Sequence, residues 1–100
     1  MDTHFYMVNI DPGVYKIGVT KNKPISGFRY NKLCLYYSGP HEKILNLKKH
    51  VMDTLKENFE SVKGVCIYKG DEEKMTDLAI VHIQDAILLG QQERAQRSLN

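Results

Sequence analysis

Five cations fall within residues 14–32, VYKIGVTKNKPISGFRYNK: Lys16, Lys21, Lys23, Arg29 and Lys32, with no aspartate or glutamate among them. Gly18 stands between the first two and bares its backbone amide. Cations beside unobstructed N–H groups suit an anionic ester, and an arginine adds a planar fork that grips two phosphate oxygens at once. Tyr6, Tyr15 and Tyr30 interleave aromatic rings with these charges, as surfaces that bind nucleic acids do. Gly18, Lys21, Lys23 and Lys32 are thus candidate contacts for a DNA or RNA backbone. The same residues also describe a solvated basic loop beside a hairpin whose tyrosines are half-buried.

Net charge does not decide between these readings. It is +2 over 100 residues, too small to argue for any partner. Its distribution says more: residues 53–77 carry seven acids against four lysines, so the two signs are segregated and a positive surface can exist near overall neutrality. Hydrophobic residues at 42% and charged residues at 26% suit a folded soluble domain. No apolar run approaches the roughly 20 residues of a membrane helix, and MDTHFYMVNI lacks the pattern of a signal peptide. Two cysteines, Cys34 and Cys66, give neither a disulfide framework nor a metal-ligand spacing. A reducing compartment, cytoplasm or nucleus, is expected.

The elements that must hold these residues can be read in order. HFYMVNI (4–10) and VYKIGVT (14–20) are strand-like and joined by DPG, a β-hairpin signature. KNKPISG reads as loop, FRYNK as a short helical turn, and LCLYYS (33–38) as a third strand. Gly39 and Pro40 mark a helix start. Ile44, Leu47, Val51, Leu55 and Phe59 then recur every three or four residues and form one apolar stripe. Gly64 ends that unit, and VCIY (65–68) reads as a short extended segment. Asp71 can cap a last helix over 72–89, with Met75, Leu78, Ile83, Ala86 and Ile87 on its buried side and Gly90 closing it. The polar tail 91–100 is expected to fray. The expected architecture is one α+β domain: a small three-stranded antiparallel sheet packed against two main helices. The histidines His4, His41, His50 and His82 are scattered, with no i, i+4 pair and no neighbouring carboxylate at ligand spacing; His50, on the long helix, reads as a surface residue, with reach into a site as the alternative.

An aromatic–tyrosine strand, a tight turn, YKIGVT, an arginine and a long amphipathic helix together resemble the GIY-YIG nuclease superfamily, most of all its phage and large-virus branch with a KIG second motif. FYM (5–7) stands where that family has GIY, and KIG (16–18) where it has YIG. The resemblance covers roughly residues 4–89. It implies a magnesium- or manganese-dependent endonuclease that hydrolyses phosphodiester bonds. Tyr6 would then orient or deprotonate a water, Lys16 with Tyr15 beside it would occupy the second-motif tyrosine position, and Arg29 would stabilise charge on the scissile phosphate. Aligned through Leu55 and Phe59, the family's metal-binding glutamate falls on Met52. A thioether does not replace a carboxylate for a hard ion, so Glu57 and Glu60 are the candidate metal ligands.

Three readings follow from the sequence. One is a small GIY-YIG-type endonuclease. The second is a domain of that fold that binds DNA or RNA without cleaving it. The third is an adaptor that meets a second copy of itself or a host or viral protein.

Overall fold

The computed structural model describes residues 2–21, 29–64 and 66–99, with the side chains of Lys63 and of residues 91–99 outside the description. The chain forms β1 (Thr3–Asp11), β2 (Val14–Thr20), β3 (Lys32–Gly39), α1 (His41–Asn58), β4 (Glu60–Lys63), β5 (Ile67–Lys69) and α2 (Glu72–Leu99). The strands join into one sheet in the order β3-β1-β2-β5-β4, every neighbouring pair antiparallel.

The hairpin forms where the turn residues demand it. Gly13 adopts φ +70°, a conformation in which a Cβ would be strained. The Asn9 amide donates to the carbonyls of Asp11 and Val14, at 2.8 and 3.2 Å, and so pins both sides of the corner. The register then places Tyr6 opposite Gly18 and Val8 opposite Lys16.

Side chains alternate across β1. Phe5 and Met7 point to one face and, with Ile17, are fully buried against Ile44, Leu47, Val51 and Leu55 of α1 and Met75 and Ala79 of α2. Both helices therefore lie on that face. Each such side chain withdrawn from water contributes about 1.5–3 kcal/mol. The apolar stripe expected for α1 is its buried face, and Phe59 packs at the margin of the core. Asp71 caps α2, its Oδ2 accepting from the Lys74 amide at 3.0 Å.

Four expectations need correction. The sheet has five strands rather than three, because Gly64, at φ +64°, reverses the chain between β4 and β5, and β5 then pairs with β2. β4 is a four-residue edge strand, ESVK, too short and polar to show a strand pattern. Residues 29–31 are not helical: the Asn31 amide donates to the Asn9 carbonyl at 2.7 Å and leads directly into β3. α2 does not close at Gly90 but continues to Leu99, since no proline follows and QQERAQ consists mostly of good helix formers. Ile87 is exposed, and Ala79 takes the buried place beside Met75. Among the described residues, no helix is long and apolar enough to cross a membrane.

Candidate nucleic-acid interface

The sheet face that neither helix covers carries His4, Tyr6 and Val8 from β1, Lys16, Gly18 and Thr20 from β2, and Tyr36 and Ser38 from β3. Register sorts them into rows across the strands: Leu33–Val8–Lys16, Tyr36–Tyr6–Gly18 and Ser38–His4–Thr20.

The middle row is the tightest. A Cβ at Gly18 would fall onto the Tyr6 hydroxyl and ring carbons, so the missing side chain is what lets the phenol lie across β2. Tyr6 is only 6% exposed. Burial pushes its phenol above the usual value, and the nearby Cys66 thiol adds to the shift. Tyr6 is therefore a neutral hydroxyl at physiological pH and a poor base; it can orient a ligand oxygen but does not readily take a proton.

Tyr15 lies elsewhere. As Lys16's neighbour in a strand it must point to the opposite face, and it is buried in the helix-side core. Its phenol is raised by burial and then by the charge of Glu72. Lys32 is on that side too. It bonds both oxygens of Glu72, at 3.1 and 3.3 Å, in an exposed ion pair. The Cys34 thiol donates to the same carboxylate at 3.1 Å; burial, then this bond, pushes it up to about 11. Lys32, Cys34 and Glu72 thus tie the start of α2 to β3 and leave Lys32 committed.

The remaining described cations stand at the two ends of the sheet. Arg29 is exposed two residues before Asn31, whose amide meets Asn9. That is the hairpin-turn end of the sheet, where Lys16 also lies. Lys21 is exposed at the opposite end, about 17 Å from Lys16 along the strand direction. Lys23 lies outside the described residues.

The acids expected to hold a metal do not join Tyr6. Glu57 is exposed on α1, a helix packed on the other face of the sheet. Met52 is partly buried against the core. Glu60 opens β4 opposite Lys69; by strand parity it shares the Tyr6 face, but at the far edge, two strands beyond β2. Among the described residues no group of three or more His, Cys, Asp and Glu side chains could hold a metal ion. The described residues do not fit a magnesium or manganese site of the kind the resemblance implies.

No protein family, no curated protein and no solved structure matches the chain.

Two groupings escaped the sequence reading. His4 Nδ1 lies 2.6 Å from both Ser38 Oγ and Tyr36 Oη, and its ring stacks on Tyr36 at 5.5 Å. Period-two alternation along HFYMV and YYS was the signal for it. On the helix side, His50 and His82 stack at 6.0 Å, and His82 Nε2 bonds Thr54 Oγ1 at 2.7 Å. They line a cavity of about 510 Å³ between α1 and α2, with Lys43, Asn46 and Asp85. The turn-by-turn spacing of Lys43, Asn46 and His50 was its only trace.

Proposed function

We propose that this chain is a GIY-YIG-like domain that binds the phosphate backbone of DNA or RNA through the helix-free face of its sheet. The observation that carries the reading is the Tyr6–Gly18 row. The two motif positions face one another across the hairpin, so the phenol forms a floor, and Lys16 stands in the adjoining row with Arg29 at the same end of the sheet. A phosphate set there meets cations on either side and a hydroxyl beneath. Such contacts position a polymer without reading its bases.

Metal-dependent cleavage is not part of this reading. Of its candidate acids, Glu57 lies across the sheet on α1 and Glu60 at the far edge strand, so neither joins Tyr6, and the raised phenol does not supply the missing base. The adaptor reading has no comparable constellation behind it.

The test is binding of a labelled oligonucleotide at increasing salt. Lys16→Glu and Arg29→Ala should each weaken it, and log affinity against log salt should slope by roughly −0.7 to −0.9 per phosphate contacted. Affinity unaffected by either substitution would sink the proposal. Plasmid nicking that needs magnesium and stops on Arg29→Ala would instead restore the endonuclease.

A further inference from the structure

α2 carries two stripes. In the first, Met75 and Ala79 are buried in the core, Ile83 packs against it, and Ala86 lines the cavity shared with α1. In the second, Leu78, Val81, Asp85 and Leu88 recur at alternating steps of three and four, and the sequence carries the same steps on through Gln92, Ala95 and Leu99. Such steps make the seam of a coiled coil. Val81 is 52% exposed and Leu88 54%, so this side of the helix is turned away from the core. Ile87 and Leu89 are exposed as well. With Ala86 they make residues 86–89 apolar around the whole circumference. A helix apolar all round is normally covered all round, and α1 covers one side only.

Length gives a second reason to expect a partner. α1 and α2 run antiparallel: Thr54 meets His82, and Lys43, in the first turn of α1, lines the same cavity as Leu89. α1 begins at His41, so residues 90–99 of α2 continue beyond its start. They amount to about 15 Å of helix, and a helical segment that short is marginal in water without packing.

Charge selects the partner. In the first half of α2, Glu73, Asp77 and Asp85 are exposed beside Lys74, while Glu72 is tied to Lys32. In the second half, Glu93 is outnumbered by Arg94 and Arg97. Antiparallel pairing with a second copy sets the acidic half of each helix against the basic half of the other. Parallel pairing would oppose like halves and bring two Asp85 carboxylates together in the seam, whereas antiparallel pairing sets each opposite a different residue. A two-fold axis makes every contact twice, so one geometry covers both helices.

We propose that α2 is the dimerisation element of this chain, its stripe from Leu78 to Leu99 packing antiparallel on the same stripe of a second copy. Both helices lie on the sheet face opposite Tyr6, so the inference does not depend on the nucleic-acid reading.

Sedimentation equilibrium from micromolar to near-millimolar protein tests it. Wild type should be a dimer at the upper end, and Leu88→Glu and Val81→Glu should each be monomeric throughout. Both side chains are exposed, and near-ultraviolet circular dichroism from the buried tyrosines checks that each variant is folded. Arg94→Glu combined with Arg97→Glu should weaken the dimer several-fold, because acid then faces acid; in a parallel dimer it would exchange one like-charge pairing for another and change little. Wild-type protein that stays monomeric at every concentration would overturn the proposal, and binding of that monomer to phosphatidylcholine vesicles would assign the exposed leucines to a lipid surface instead. A dimer that survives both Leu88→Glu and Val81→Glu would place the interface elsewhere and overturn it too. A dimer lost in those two variants but indifferent to the arginine pair would overturn the antiparallel orientation.

Discussion

Replacing Gly18 by alanine probes the row on which the functional reading depends. An added Cβ would stand 2.9 Å from Tyr6 Cε2 and closer still to Cζ and the hydroxyl. Gly18 does not have a positive φ, so the backbone accepts alanine and the cost is steric alone. Overpacking of this kind costs typically about 1–3 kcal/mol. Alanine recovers about 0.5–1 kcal/mol of the entropy that glycine loses in a strand. The net is a destabilisation of up to about 2.5 kcal/mol, at about 4–8 °C in Tm per kcal/mol for a chain of this size. Thermal and urea unfolding of four proteins decide it: wild type, Gly18→Ala, Tyr6→Ala and the double variant. Without the Tyr6 ring the alanine has nothing to strike, so its effect should reverse sign and stabilise by about 0.5 kcal/mol. An equal effect of the alanine with and without the Tyr6 ring would mean that the phenol does not lie across β2 and that the proposed floor is absent.

Leu55→Ala, in the fully buried stripe of α1, should cost about 2–5 kcal/mol in urea unfolding. Glu72 is held below the usual carboxylate range, first by the Cys34 thiol and then by Lys32. The stability it adds should be present above the pKa of the unfolded chain and fade as pH falls through the lower folded value. The gap between wild type and Glu72→Gln should therefore be visible at pH 7 and close toward pH 2. Cys34, raised to about 11, is almost wholly thiol at pH 8 and should alkylate slowly with iodoacetamide; Glu72→Gln removes the bond that holds the proton and should speed it.

Features set by neighbouring residues were legible before the structure. DPG between two β-rich runs specifies a hairpin, and the stripe from Ile44 to Leu55 specifies which side of α1 is buried. What escaped depends on partners distant in sequence. ESVK has no strand pattern and becomes a strand only because β5 accepts its hydrogen bonds. Glu72 and Cys34 meet across 38 positions. The grouping of Tyr15 with Lys16 fails for a simpler reason: adjacent strand residues face opposite ways, so one motif cannot deliver both to one site. Alternation also contained the partnership of His4 with Tyr36 and Ser38, but only after the pairing of β1 with β3 was known.

Asn9 has a consequence beyond the turn it closes. Its side chain grips both sides of the corner and accepts from Asn31 Nδ2, while its carbonyl accepts from the Asn31 amide. The point at which the chain rejoins the sheet is thereby set by β1, not by whatever lies between Lys21 and Arg29. Lengthening that interval should cost only closure entropy, about 0.6 kcal/mol per doubling. Residues inserted or removed there would change how far its cations extend without disturbing the register of β1 and β3.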